Sequence, residues 1–229
     1  MFMYISACSI ITIVNRMVAT LTHLNIEKCI YSGLHMPDDS FNADYQQAFY
    51  NVIRNAVDEF PRTLALRVDL RFPHRYQYGD SNRDVTRFIE SLKAKLLVDC
   101  QRKNHRWKRN WHNRLRYVWV REVGELNRRK HYHVLLLLNK DFYHGAGSYN
   151  ADDSLYALIQ QAWCSALGLD AEQCSGLANM TENGCFYLNR KSPNYMQEVT
   201  ELLKRMEYLA KDHTKCYGDG YRSIGMSRR

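Results

Sequence analysis

The chain has 229 residues, 45% of them hydrophobic, and a formal net charge of +8 at pH 7, which allows one sizeable core and favours a polyanionic partner, nucleic acid before an anionic membrane surface. Its seven cysteines are odd in number, irregularly spaced and without a C-x-x-C pair, which excludes a disulfide framework or zinc knuckle and reads as thiols of a reducing cytoplasm. The leading MFMYISACSIITIV stops at Asn15-Arg16 with no basic segment before it, too short for a membrane span.

Residues 1–39 read as an apolar extension, buried or poorly ordered, and residues 40–229 as the main domain. Between Ser40 and Phe60 the apolar positions Phe41, Tyr45, Ala48, Phe49, Val52, Ile53, Ala56 and Val57 recur at helical spacing, and Pro61 ends the pattern. RTLALRVDLRFP then alternates, with Leu64, Leu66, Val68, Leu70 and Phe72 on one side and Arg67, Asp69 and Arg71 on the other. It predicts a half-buried strand closed by Pro73.

A second helix is predicted from about Asp84 to Cys100, capped by Ser81, Asn82 or Asp84. It runs into QRKNHRWKRNWHNRLR, where Arg102, Lys103, Arg106, Lys108, Arg109, Arg114 and Arg116 occur without an acid and Trp107 and Trp111 interleave. Such a tract is either a solvated helix end or a phosphate-tracking surface with aromatic platforms for unstacked bases.

YVWVREVGE and KHYHVLLLLN are two β-rich runs joined by LNRR, as in a tight hairpin. A helix follows from about Asp152 to Leu167, stopped by Gly168. A turn at Asn183-Gly184 leads into a short CFYLN strand, a last helix covers about Tyr195 to His213, and the tail is glycine-punctuated and basic.

Strand alternation puts His131 and His133 on one face and Tyr132 on the other. Two imidazoles aimed at one point make half of a divalent-metal site. If the hairpin turns at Asn127-Arg128, Glu122 lies opposite His133 and completes a His/His/Glu cluster; Glu125 takes its place if the turn shifts by one residue. A bare H-x-H is more often polar surface with no ion, so independent support matters.

That support lies in MEYLAKDHTK. At about 100° per residue, Lys204, Tyr208, Lys211 and Lys215 share a stripe opposite Val199, Leu202, Leu203, Met206, Leu209 and Ala210. A tyrosine among lysines off the core face is a snorkelling surface residue or a nucleophile. Ammonium groups that favour phenolate and a metal that polarises a phosphate would together make a phosphotyrosyl ester.

These residues resemble a known family. His131-Tyr132-His133 is similar to the histidine–hydrophobic–histidine motif of the HUH endonucleases, and Tyr208-Leu209-Ala210-Lys211 to the Y-x-x-K motif of their single-tyrosine members. RVDLRFP, YVWVRE, HYHVLLLLN, SALGLD, YLAK and RSIGMS, in order from about Gln46 onward, resemble the YagK/YfjJ C-terminal-domain family, also called the inovirus replication-protein family. The resemblance implies an α+β fold with a mainly antiparallel sheet, the H-x-H strand central and helices packed on it, a relative of the ferredoxin-like arrangement. It implies metal ligation by His131, His133 and Glu122, with Mg²⁺ or Mn²⁺, a Tyr208 nucleophile and Lys211 as its electrostatic partner.

The expected activity is rolling-circle initiation in the bacterial cytoplasm: nicking single-stranded DNA at an origin, holding the 5′ phosphate, leaving a 3′ hydroxyl and later rejoining. No Walker-type loop follows, so the expected partners include a host helicase and polymerase, and no membrane. Arg102, Lys103, Arg106, Lys108 and Arg109, with Lys204, Lys215, Arg128, Arg129 and the tail, would hold the backbone while Trp107 or Trp111 stacks on bases. The alternatives are a non-catalytic DNA-binding protein that keeps the scaffold, and a metal-dependent nuclease acting through water.

Overall fold

The computed structural model describes residues 43–74, 76–77, 81–124, 129–149, 151–207 and 221–228. The predicted extension at 1–39, the hairpin tip with Glu125 and Arg128, and Tyr208, Lys211 and Lys215 lie outside the described residues. In chain order come α1 (Ala43–Glu59), β1 (Arg62–Leu70), α2 (Arg83–Trp107), β2 (Arg116–Val123), β3 (Lys130–Asn139), α3 (Leu155–Leu167), β4 (Ala178–Asn189), α4 (Tyr195–Glu207) and β5 (Ile224–Met226). The strands form one antiparallel five-stranded sheet in the order β4-β1-β3-β2-β5, an α+β fold with the H-x-H strand at its centre.

Two apolar layers cover the sheet because β1 and β3 are buried on both faces. On one face Tyr132, Val134, Leu136 and Leu138 of β3 join Leu64, Leu66, Val68 and Leu70 of β1 and the stripes of α2 and α3 in a single core. On the other, Ala65, Val118, Val120, Leu135 and Leu137 are buried outside that core, with α1 packed on β1, β2, β3 and β5 and α4 on β4 and α1. An ion pair of 2.6 Å between Arg116 and Glu59 ties the last turn of α1 to this second face.

Slipping β3 by one residue would expose Tyr132 and push two imidazoles into the first core. Burial of an aromatic ring covers roughly 150–250 Å², worth about 4–6 kcal/mol at about 25 cal/mol per Å². The core therefore holds the register against any local preference of the hairpin turn.

Strand β1, read as half-buried, is covered on both faces because α1 packs on the side that carries Arg67 and Asp69, and three further elements differ from the sequence reading. Helix α2 continues past Cys100 to Trp107, since Arg, Lys and Gln are good helix formers and buried Asp99 takes ion pairs of 2.7 Å each from Arg102 and Lys103. It stops where Lys108 turns left-handed (φ 50°) and donates its N–H to the Asn104 carbonyl.

The CFYLN strand is the second half of a 12-residue β4, and the Asn183-Gly184 turn is a bulge within it. The pairing with β1 shifts between Leu66 and Val68, Asn183 has φ 54°, and Gly184 sits against backbone. The tail supplies a strand, β5, whose three residues are too few for periodicity to reveal.

A Cβ on Gly184 would come 2.9 Å from the Thr181 carbonyl oxygen and 3.2 Å from that of Arg67. We expect Gly184→Ala to cost roughly 1–3 kcal/mol through overpacking. Urea unfolding should show a lowered midpoint at an unchanged slope.

Candidate functional site

The second face carries the polar cluster. Within β3, His131 and His133 point away from Tyr132, and Glu122 of β2 pairs directly with His131 while Val120 pairs with His133. The predicted pairing of Glu122 with His133 is thus corrected by two residues. An even shift preserves the face, so Glu122 still joins the histidines.

One oxygen of Glu122, Oε2, lies 3.0 Å from His133 Nε2 and 3.5 Å from His131 Nε2. The rings stand at right angles with centroids 4.8 Å apart. One ligand atom from each of the three residues can be chosen so that all lie within 4.8 Å of one another. Two imidazole nitrogens and a carboxylate oxygen suit a divalent cation with positions left open for substrate or water. The side chain of His131 is 27% exposed against 8% for His133, so the open side of the cluster is that of His131.

Each histidine is oriented through its other nitrogen. His131 Nδ1 lies 3.4 Å from the Arg129 carbonyl oxygen, and His133 Nδ1 lies 2.6 Å from Asp69 Oδ1. Both rings therefore present Nε2 to Glu122, with the carboxylate–histidine relay that tunes metal ligands formed by Asp69 and His133.

Burial favours the neutral form of His133, but the hydrogen bonds it donates to the Asp69 and Glu122 carboxylates outweigh this and raise its pKa above the ordinary imidazole value. Burial likewise opposes ionisation of Asp69, yet the His133 hydrogen bond and the neighbouring positive charges hold its pKa low.

Asp69 and Arg67 are site residues that the sequence reading placed on the polar side of β1 without assigning them a role. Asp69 pairs with His133 across β1 and β3, a neighbourhood visible only once β1 is known to lie beside β3. Arg67 shares that face, its Nε 3.8 Å from Asp69 Oδ1 and without a hydrogen-bond partner among the described residues.

The basic tract is elsewhere. Asn139, at the far end of β3, takes hydrogen bonds to Asn113 and His112, so residues 102–116 lie at the end of the sheet away from the cluster, about 20 Å along β3 at about 3.3 Å per residue. Asp99 neutralises Arg102 and Lys103, and Glu59 meets Arg114 and Arg116. Arg106, Lys108 and Arg109 are exposed.

Trp107 is 48% exposed. Trp111 is half-buried, its ring against Phe142 and its backbone held on both sides by Asn104, so it serves packing more than stacking. Lys204 is exposed on α4, while the nucleophile candidate Tyr208 and its partners Lys211 and Lys215 lie outside the described residues.

Comparison with known proteins gives a match to the model of the YagK/YfjJ C-terminal domain over residues 32–227. Two Escherichia coli (strain K12) proteins are similar over most of their length, both of uncharacterised function. YfjJ is 37% identical over 195 residues, 80% of this chain and 93% of its own. YagK is 36% identical over 193 residues, 81% of this chain and 92% of its own. No solved structure matches the chain. Among the described residues no helix is long and apolar enough to cross a membrane.

Two outcomes are expected. Asp69→Asn replaces the carboxylate that orients His133 by a neutral amide and should weaken Mn²⁺ binding about 10–100-fold, read by calorimetry on folded protein. The raised pKa of His133 stabilises the metal-free fold fully below the unfolded imidazole value and progressively less as pH rises through the folded one. The melting temperature of metal-free protein should therefore fall more steeply with pH across that window than that of His133→Asn.

Proposed function

This chain belongs to the YagK/YfjJ C-terminal-domain family, and from that premise we propose that it is a metal-dependent transesterase that nicks and rejoins single-stranded DNA through Tyr208. The observation that carries the reading is the convergence of Glu122, His131 and His133 on one point of the central strands, with Asp69 fixing one ring from behind. Buried ionisable groups converging on one point of a packed sheet face, with perturbed pKa values, are a signal of a functional site.

The helix α4 begins beside the end of β4, where Glu198 accepts the Asn189 N–H at 2.9 Å, and it packs on β4 and α1. Lys204 is exposed on it, and Tyr208 follows its last residue, Glu207, in sequence.

A divalent cation, Mg²⁺ or Mn²⁺, held by His131, His133 and Glu122 supplies Lewis-acid polarisation of a phosphate. Lys211 and Lys204 favour the phenolate of Tyr208 by their charge. The Tyr208 oxygen bonds to phosphorus as the bond from phosphorus to the 3′ oxygen breaks. The 5′ phosphate stays on the protein, and the 3′ oxygen takes up a proton equivalent to the one lost by the phenol. One phosphate ester replaces another, so the reverse attack by a 3′ hydroxyl reseals the strand. In the bacterial cytoplasm this chemistry initiates rolling-circle replication of a phage or mobile element at its origin, with unwinding and synthesis left to a host helicase and polymerase.

The test is a denaturing gel of purified protein incubated with single-stranded origin DNA and Mn²⁺. The wild type should give a protein–DNA adduct, and Tyr208→Phe and His133→Ala should each reduce it by at least about 10²-fold, as loss of a nucleophile or metal ligand does. Cleavage without adduct would replace the tyrosine with water. Binding with neither would make the protein a non-catalytic DNA binder.

A further inference from the structure

On the α2 side of the sheet, where the edge formed by β2 and β5 meets that helix, runs a groove of about 690 Å³. Among the described residues no aspartate or glutamate lines it, whereas Lys93, Arg114, Arg116, Arg222 and Arg228 do. The closing RSIGMS builds its outer wall. Ser227 accepts the Tyr117 N–H at 3.2 Å and returns its own N–H to the Tyr117 carbonyl at 2.9 Å. Gly225 lies flush on Trp119, where a Cβ would fall 2.3 Å from the indole, so a side chain there would push the wall off the sheet.

The groove lies on the face of the sheet opposite the metal cluster. At one end Arg228 follows Ser227 beside Tyr117, and Arg114 and Arg116 of the basic tract also line it. Toward the other end Arg222 precedes Ser223, whose carbonyl accepts the Arg121 N–H at 2.8 Å. From Arg222 to Arg228 the chain can reach about 20 Å at about 3.3 Å per residue, room for several phosphates.

The cations are not equivalent. Lys93 meets Glu90, and Arg114 and Arg116 share Glu59. Arg222 and Arg228 are exposed and form no ion pair among the described residues. The Arg222 backbone is held in place by the Asn82 side chain, which donates to its carbonyl at 2.7 Å. Between the cations Leu96, Tyr117 and Met226 stand among Thr86, Asn113 and Ser227, and Leu97 at the rim is 60% exposed. Cations set beside aromatic and apolar side chains fit an unpaired strand, which offers both phosphates and base faces; a duplex offers the first without the second.

We propose that this groove holds the backbone of the single-stranded DNA that flanks the cleavage site, with Arg222 and Arg228 as its phosphate contacts. The proposal rests on the reading that single-stranded DNA is the substrate, and it names where the flanking strand lies. It is tested on the full chain in EDTA, where binding is measured without cleavage, by fluorescence anisotropy of labelled oligothymidylate over a salt series. Arg222→Glu/Arg228→Glu should bind more weakly, with a slope of log affinity against log salt reduced by about 1.4, at about 0.7 per lost phosphate contact. Arg222→Lys/Arg228→Lys should keep most of the slope.

Arg190→Glu/Lys191→Glu, the same charge change at exposed positions on the β4 side, should leave the slope as in the wild type. A groove variant that melts like the wild type yet keeps its slope, or loses no more than the control pair, would overturn the proposal. So would polyglutamate or anionic vesicles displacing the DNA as well as unlabelled oligothymidylate, or a duplex bound equally well with the same dependence on Arg222 and Arg228. Wild-type protein that shows the groove effect but never forms an adduct would sink the nicking reading and leave the groove standing.

Discussion

Tyr132 is wedged edge-to-face between Trp119 and Trp163, with ring centroids 5.9 and 6.4 Å away, and its hydroxyl reaches Asn82 at the head of α2. This wedge sets the parity of the central strand, and everything polar on the opposite face follows from it. With Tyr132 in the core, His131 and His133 emerge together on the other side, and each neighbouring strand adds what its own alternation supplies: Glu122 from β2 and Asp69 from β1. Buried Lys130 reinforces the same parity, reaching Ser81 and Asp84 at the start of α2 from the Tyr132 side.

The resulting arrangement divides labour along the strands as well as across them. One end of the sheet gathers carboxylates and imidazoles; the other gathers guanidinium groups around Glu59 and Asp99. Those two acids spend part of the basic tract on holding α1, α2 and the loop after β3 in place, since Asp99 also accepts the Tyr143 hydroxyl at 2.7 Å. The formal charge of +8 therefore overstates the charge free to meet a polyanion, and the exposed cations at the end of α2 and at Arg222 and Arg228 form no ion pair among the described residues.

Legibility from sequence followed the range of the interaction concerned. Period-two alternation announced β1, a β-rich apolar run announced β3, helical spacing announced α1, α3 and α4, and the H-x-H face came directly from the pleat. The His131–His133–Glu122 cluster was legible because β2 and β3 are neighbours in sequence, and it survived a hairpin register misjudged by two residues because parity is what matters. Asp69 was not legible as a site residue: β1 and β3 are separated by α2 and β2, and no local signal says which strand lies beside which. The end of α2 was hidden because the apolar stripe stops at Cys100; the charged run beyond it carries no periodicity, although its residues favour helix and Asp99 anchors them. The strand β5 was hidden by its brevity and is recognisable only through Gly225 lying against Trp119.

Strand β4 forms one border of the sheet, and at 12 residues an unbroken border would present a long row of free backbone donors and acceptors to any other extended chain. The bulge at Thr181–Gly184, with Asn183 left-handed and Glu182 exposed, cuts that row into two short pieces and adds a charge at the break. Copies of the protein crowded together during synthesis thus meet a border that does not template sheet growth, and a single glycine guards against aggregation as well as shaping the fold.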